Sequence, residues 1–324
     1  MSLSPTASNR NFVARVLGVV VLALAGSHDL IAQQAAADRA RASEAVLPLE
    51  MTDRSLTPDA SQSLPSSPRL PGDAEYGEQV VLARRANHEP WSLAFDAEYF
   101  FTDNVALASA GELQDFYLRT GAQARYTNRI SGDWFANAAL DAHSILHDRY
   151  DALDFLLLKA EAGAMYRVPW LADTFLSAGY VGYWITEDDL TTESFQNHAI
   201  SIGAQKVWKP ARAMQIIAGA TAEYSFDAEP APPQRHEYSA YLGYRLRLND
   251  NLSLSASYRL GFYDYPVIDR QDWNHVVVIG ASYDITSWAR VSLSASSAWN
   301  RSSVEFFDYD NIVSGISLSL HMEF

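Results

Sequence analysis

The amino-acid sequence predicts an all-β fold: a transmembrane, antiparallel, up-and-down β-barrel of about twelve strands that follows a disordered N-terminal extension. Three observations predict it. From Trp91 onwards, apolar and polar residues alternate with a period of two, which is typical of strands with one apolar face. The aromatic residues, 8 Trp, 17 Tyr and 14 Phe, concentrate near the ends of these segments. The connections between the segments alternate between short and long.

The composition excludes several classes of function. The chain has 324 residues, with 24 basic and 39 acidic side chains and a formal net charge of −15. This excess of acids argues against nucleic acid as a partner, because a phosphate backbone requires a cationic surface. The absence of cysteine excludes disulfides, thiolate metal sites, cysteine nucleophiles and lipoprotein acylation. No glycine-rich phosphate loop occurs, and no cofactor is expected.

Residues 1–32 are predicted to be a signal peptide. Arg10 and Arg15 precede an apolar run over 16–26, which is too short to span a bilayer as a helix. A small residue, Ala32, precedes a polar stretch, and cleavage is expected after it. The mature chain is therefore expected to leave the cytoplasm.

Residues 33–90 are predicted to be a disordered periplasmic linker. The segment has no sustained apolar stripe and therefore cannot bury enough surface to fold alone. The composition of this segment favours a role as a simple spacer over a role as a tether or as a plug of the barrel. Its prolines are Pro48, Pro58, Pro65, Pro68 and Pro71.

Residues 91–324 are predicted to form the barrel. In the first segment, Trp91, Phe95 and Tyr99 lie on an apolar face opposite Asp96 and Glu98. The faces of the segments 174–184 and 194–208 are ambiguous. The twelve predicted strands are 91–101, 115–127, 133–146, 154–168, 174–184, 194–208, 213–226, 236–248, 252–263, 273–285, 289–299 and 311–324.

Periodicity alone does not separate a transmembrane barrel from a soluble β-sandwich. The aromatic residues do, because they form two groups that match the two interfaces of a bilayer. At the short-turn ends of the strands lie Trp91, Tyr126, Trp134, Tyr166, Trp170, Phe175, Trp208, Tyr244, Tyr283, Trp288 and Phe324; at the long-loop ends lie Tyr99, Phe101, Trp184, Tyr224, Phe226, Phe262, Trp273 and Trp299.

The last segment, 312–324, ends on Phe324 and carries Ile316, Leu318, Leu320 and Met322 on one face. Here the sequence resembles twelve-stranded, porin-like outer-membrane β-barrel proteins of Gram-negative bacteria, whose final strand commonly ends in an aromatic residue. The resemblance implies an outer-membrane location with both termini in the periplasm. It also implies outer-membrane lipid and lipopolysaccharide as surroundings, and recognition of the final strand by the barrel assembly machinery.

The polar faces of the strands are predicted to line a lumen. Fixed charges in such a wall bias which ions enter. Eight strands enclose a packed interior and sixteen a wide pore, so twelve leave both an open channel and a filled barrel possible. The candidate lining residues are Asp96, Glu98, Arg119, Gln123, Arg125, Asp141, Lys159, Glu161, Glu223, Arg245, Arg247, Arg259 and Arg290.

The six predicted long loops carry the whole excess of negative charge, with nineteen acidic and four basic residues. An acidic mouth above a more basic interior is therefore expected. Clustered carboxylates suit Ca²⁺ or Mg²⁺, although solvated loop charge gives the same pattern. The weak candidates for metal ligands are Glu187, Asp188, Asp189, Asp308 and Asp310.

These features favour a narrow channel for the passive diffusion of small hydrophilic solutes whose identity the sequence does not give. The alternative is a structural or interaction barrel that supports surface polymer export or adhesion. An outer-membrane hydrolase is the third hypothesis, with Asp141 and His143 on the predicted lumen face. No local signature of a nucleophile and base accompanies them, so no catalytic residue is assigned.

Overall fold

The computed structural model describes residues 37–43, 90–171, 174–186 and 193–324. The predicted signal peptide and most of the predicted linker lie outside these ranges. Within them, no helix has both the length and the apolar character that a membrane span requires.

Twelve antiparallel strands form one closed barrel, in which each strand pairs with its neighbours in sequence and β1 pairs with β12. The predicted fold class is therefore confirmed. The strands are β1 (Trp91–Thr102), β2 (Asp115–Ser131), β3 (Trp134–His147), β4 (Phe155–Val168), β5 (Thr174–Thr186), β6 (Glu193–Ala211), β7 (Met214–Glu229), β8 (His236–Arg247), β9 (Leu252–Tyr265), β10 (Arg270–Asp284), β11 (Ala289–Ser302) and β12 (Tyr309–Glu323).

Two predicted turns are shorter in the structure than expected. The sequence predicts turns at 128–132 and 209–212, but β2 continues to Ser131 and β6 to Ala211, so the turns cover 132–133 and 212–213. In both hairpins the pairing register shifts near the turn, so a bulge absorbs the irregular residues without ending the strand. The first hairpin then closes at Gly132, whose φ of +56° lies in the left-handed region that glycine adopts without strain.

At the opposite end of the barrel, the strands extend into several of the predicted long loops. The connection between β1 and β2, residues 103–114, is the longest, whereas β9 and β10 are joined by 266–269 alone. The difference between short and long connections is therefore smaller than predicted. Backbone pairing continues past the apolar band because the main-chain groups there still require partners.

The apolar faces point outwards and the polar faces inwards. Phe95 and Leu242, for example, are 44% and 55% exposed, whereas Arg119 is 3% exposed. In the ambiguous strands β5 and β6, Ile200 and Ile202 lie outside. Many of their inward residues are also apolar, which explains the ambiguity: Phe175, Val181, Ile185, Phe195 and Ala199 are all buried.

Aromatic pairs join neighbouring strands at both rims. At the short-turn end, the rings of Trp134 and Tyr166 lie 4.8 Å apart. At the long-loop end, Phe262 and Trp273 lie 4.9 Å apart. Such pairs add cross-strand stabilisation at the levels where a bilayer favours amphipathic rings.

Residues 37–43 form a short helix inside the barrel, although this part of the chain was predicted to be a disordered linker. Ala37 and Ala40 are fully buried and pack in one apolar cluster with Ile185 and Phe195 of the wall. The helix therefore owes its order to contacts with the barrel and not to its own sequence.

Candidate functional site: the barrel lumen

A cavity of about 290 Å³ occupies the lumen. It extends from Ser92 and His321 at the short-turn end to Arg41 and Arg235 near the long-loop end. Nine of the thirteen candidate lining residues border it: Asp96, Arg119, Gln123, Arg125, Asp141, Lys159, Glu223, Arg259 and Arg290.

The other four candidates lie outside the cavity lining. Glu98 is buried against Arg119, and Glu161 pairs with Lys159. Arg245 donates from Nη2 to Ser253 Oγ at 3.2 Å. Arg247 is exposed at the short-turn end of β8.

Many wall charges compensate each other, either across neighbouring strands or along one strand. Arg119 Nη1 lies 2.6 Å from Glu98 Oε2. Lys159 Nζ lies 2.7 Å from Glu161 Oε1. This pairing reduces the number of free charges that face the cavity, and it fixes the geometry of the wall.

Acidic side chains are brought together where β7 and β8 meet. Glu223 and Glu237 are partners in the strand register. The hydroxyl of Tyr183 donates to Glu223 Oε2 at 3.2 Å, and Arg235 Nη2 donates to Glu237 Oε2 at 2.8 Å. Each carboxylate therefore has a donor of its own, which offsets their mutual repulsion.

The long-loop end of the lumen holds a cluster of arginines that the sequence analysis missed. Arg235 and Arg270 are two of the four basic residues in the predicted long loops, yet both are buried. Arg270 stacks 3.6 Å from the ring centroid of Phe307 and 4.1 Å from that of Tyr265. The period of two could have indicated that this strand continues into the predicted loop, because Tyr263 and Tyr265 continue the inward face of Arg259.

The helix of residues 37–43 borders the lumen cavity through Arg41 and a second cavity of about 250 Å³ at the long-loop end through Asp38, Arg41 and Ala42. Arg41 Nη1 donates to the carbonyl oxygen of Pro233 at 3.0 Å, and its guanidinium lies 4.7 Å from the ring centroid of Phe195. Burial, followed by the charge of Arg235, lowers the pKa of Arg41 from its usual value. An arginine nevertheless stays protonated at neutral pH.

The loop between β1 and β2 folds inwards over the second cavity. Asn104 is fully buried, and its side-chain amide donates to the carbonyl oxygens of Ala108 and Asp310, both at 2.9 Å. Residues 106–110 therefore form part of the cavity wall. Together with the helix, this loop narrows the long-loop end of the barrel.

The candidate metal ligands within the described ranges are engaged in local contacts. Asp308 Oδ1 accepts a hydrogen bond from the backbone N–H of Ser302, and Asp310 Oδ1 lies 2.8 Å from Arg301 Nη2. Among the residues that the structure describes, no group of three or more potential metal-ligating side chains occurs. Residues 187–189, which hold the other three candidates, lie outside the described ranges.

Asp141 and His143 both border the lumen cavity. Asp141 accepts a hydrogen bond from Gln123 and lies 3.7 Å from Arg125 Nη2. His143 Nδ1 has no hydrogen-bond partner in the described part of the chain. Asp141 therefore orients Gln123 and Arg125, and not the imidazole of His143.

A closed twelve-stranded barrel with an apolar outer face and a charged lumen defines a porin-type protein of the outer membrane. Residues 158–322, just over half of the chain, match the family model for putative beta-barrel porin 2. The chain belongs to this family.

Solved structures show similar folds. An outer membrane channel from Pseudomonas putida F1 is 11% identical with a TM-score of 0.48, covering 72% of this chain and 96% of that chain. The KdgM porin is 8% identical with a TM-score of 0.38, covering 69% and 97%. Outer membrane phospholipase A from Escherichia coli is 11% identical with a TM-score of 0.41, covering 69% and 89%. Likeness at this level does not select a function. Among curated proteins, none matches the sequence.

Proposed function

We propose that the protein is a narrow channel for the passive diffusion of small hydrophilic solutes across the outer membrane. The observation that carries this proposal is the lumen cavity of about 290 Å³ with its polar and charged lining. A barrel filled by its own side chains would leave no such space. Membership of a porin family supports the same class of function.

We place the long-loop end at the cell surface and the short turns, with Trp91 and Phe324, in the periplasm. Bacterial outer-membrane barrels have short periplasmic turns and longer extracellular loops, which supports this orientation. The connection 103–114 then lies outside the cell, and the lumen cavity extends towards the periplasmic end of the barrel.

The described conformation corresponds to a state of low conductance. The helix of residues 37–43 and the inward loop 103–114 both narrow the bore at the long-loop end. Residues 44–90 separate the helix from β1 in the sequence, and displacing the helix would break no strand pairing. Solute passage then depends on how often the helix leaves the bore.

Reconstitution into planar bilayers tests the channel. Discrete conductance steps are expected from protein that shows heat-modifiable migration on gels, and swelling of proteoliposomes should be faster in small sugars than in large ones. Folded protein that gives neither steps nor swelling contradicts the proposal. A variant that lacks residues 33–45 should conduct more than the intact chain, whereas deletion of 50–62, of equal length in the same segment, should leave helix 37–43 in place.

A further inference from the structure

The carboxylate of Asp38 is held in a site built by the barrel wall. The hydroxyl of Tyr265 donates to Asp38 Oδ1 at 2.8 Å, and Arg270 Nη2 donates to Oδ2 at 3.0 Å. Arg235 Nη1 lies 3.6 Å from Oδ1. These three wall residues, here named the carboxylate cradle, are 0%, 2% and 8% exposed, respectively. The cradle therefore contacts both oxygens of a carboxylate in a site from which water is largely excluded.

The cradle is positioned by wall residues and not by the helix. Arg270 is held in place by hydrogen bonds from its Nε to both carboxylate oxygens of Asp272 and by stacking against Phe307. Arg235 pairs with Glu237 and stacks 3.9 Å from the ring centroid of Tyr263. The donors therefore keep their geometry when Asp38 is absent, as a preorganised binding site requires.

The charges around the cradle favour an anion. With the helix removed, Arg235 keeps its ion pair with Glu237 and Arg270 keeps its ion pair with Asp272. Within the described ranges, the three guanidinium groups of Arg235, Arg259 and Arg270 are then balanced by these two carboxylates. Arg235 Nε, Arg259 Nε and Arg270 Nη1 are buried and have no hydrogen-bond partner in the described part of the chain. A buried cluster with a net positive charge is costly to leave uncompensated. An anion in the cradle offsets that cost.

The cradle has space beside it. The cavity of about 250 Å³ at the long-loop end is bordered by all three cradle residues as well as by Asp38. A small solute whose carboxylate took the place of the Asp38 side chain would have its remaining atoms in this cavity.

We propose that the carboxylate cradle is a binding site for small organic acids that pass through the barrel, and that Asp38 occupies it as an intramolecular stand-in. This inference rests on the channel function proposed above. A solute carboxylate competes with Asp38 for the cradle, and each binding event releases the helix from its position inside the barrel. Binding of the solute thereby widens the lumen through which the solute passes.

Equilibrium binding to the full-length protein in detergent micelles tests the inference, with gluconate as the probe. Sorbitol, which has the same carbon chain without the carboxylate, serves as the neutral control. Asp38→Asn removes the competing charge and should tighten gluconate binding by about tenfold or more, because hydrogen bonds to ionised groups are roughly twice as strong as neutral ones. Asp310→Asn, a change at an acid paired with Arg301 at the same end of the barrel, should leave the affinity at the wild-type value.

Two further variants test the donors in the Asp38→Asn background. Arg270→Gln should abolish measurable gluconate binding, but it also removes the partner of buried Asp272. Tyr265→Phe deletes one oxygen only and should weaken gluconate binding by about threefold to tenfold. Unchanged affinity in Tyr265→Phe, or equal affinity for gluconate and sorbitol, overturns the proposed cradle. Tighter binding of sorbitol 6-phosphate than of gluconate overturns the assignment to carboxylates.

These outcomes distinguish failure of the binding-site proposal from failure of the channel proposal. If Asp38→Asn leaves gluconate affinity unchanged while the protein gives conductance steps, the cradle fails and the channel stands. If gluconate binds as expected but folded protein gives no steps, the binding site stands and the transport role fails.

Discussion

Arg119 and Glu98 form an ion pair in the wall of the lumen, with Nη1 and Oε2 2.6 Å apart and both side chains at most 3% exposed. The two residues are direct partners in the register of β1 and β2. Pairs of this kind contribute little compared with apolar residues of the same size. Removing one partner, however, leaves a buried charge without compensation.

Glu98→Gln should lower the free energy of unfolding by about 3–5 kcal/mol because it leaves the guanidinium of Arg119 unpaired. Urea titration in lipid vesicles, followed by heat-modifiable migration, measures the change. The double variant Glu98→Gln/Arg119→Gln should lose less than the sum of the two single variants. Arg301→Gln breaks an exposed pair with Asp310 and should cost at most about 1 kcal/mol. Equal costs for the buried and the exposed variant would contradict this account.

Gly219→Ala should destabilise the barrel by about 1–3 kcal/mol, because a Cβ at Gly219 would lie 2.5 Å from Cζ of Tyr241, its partner across β7 and β8, and 2.9 Å from the carbonyl oxygen of Ala204. The same urea titration measures the loss. Gly280→Ala is the matched control, since its nearest contact would be Ser255 Oγ at 3.1 Å. Tyr241→Ala in the Gly219→Ala background should restore part of the stability. A loss that persists without the Tyr241 ring would show that the ring is not the obstacle.

Leu242→Arg should destabilise the barrel folded in lipid by about 2–4 kcal/mol, because it places a charge on the outer face at mid-strand. Met214→Arg, on the same face but at the short-turn end of β7, should cost about 0–1 kcal/mol. Folding titrations in lipid vesicles compare the two. Similar costs at both positions would mean that Leu242 does not lie at the centre of a bilayer.

Arg259→Glu should shift ion selectivity towards cations. Arg259 borders both cavities. A unit charge about 4 Å from a passing ion contributes about 1 kcal/mol in water, and Arg259→Glu changes the charge by two units. The energy of a passing ion therefore changes by about 2 kcal/mol, or about thirtyfold in the permeability of that ion. Reversal potentials under a salt gradient measure the permeability ratio. Arg301→Glu, at an exposed residue of the long-loop rim, should shift it much less. A ratio that is unchanged in Arg259→Glu would show that ions do not pass this residue.

Ala40→Cys should react with a polar maleimide at least about tenfold more slowly than Ser303→Cys, because Ala40 is fully buried in the bore and Ser303 is exposed in a loop. The natural chain has no cysteine, so each variant carries a single thiol. The labelled fraction over time, measured by mass spectrometry, gives both rates. Equal rates would place the helix outside the barrel in solution.

The strands and most of their faces could be predicted from the sequence, because the alternation of apolar and polar residues is present within each segment and does not depend on distant parts of the chain. Phe116 and Leu118 point outwards and Arg119 inwards, as their alternation predicts. The faces of β5 could not be assigned, since Val181 and Ile185 line the interior while Tyr180 faces outwards. Apolar residues on both faces leave no local signal of direction.

The helix inside the bore could not be predicted. Its buried residues, Ala37 and Ala40, form too narrow an apolar stripe to indicate a helix that packs. Its polar residues are held by tertiary contacts, such as that between Asp38 and Arg270, which are 232 positions apart. The cradle was partly predictable, because Arg270 and Asp272 fall on the inward face of β10.

The seam between β1 and β12 determines when this protein can fold. Eleven of the twelve junctions join strands that are consecutive in the chain, but Trp91 at the start of β1 exchanges backbone hydrogen bonds with Phe324, which follows β12. Until β12 is available for pairing, β1 has an open edge that pairs readily with other chains. The barrel therefore cannot close its sheet before its last strand has been made, and a carrier that shields the first strand until then would protect the chain from aggregation.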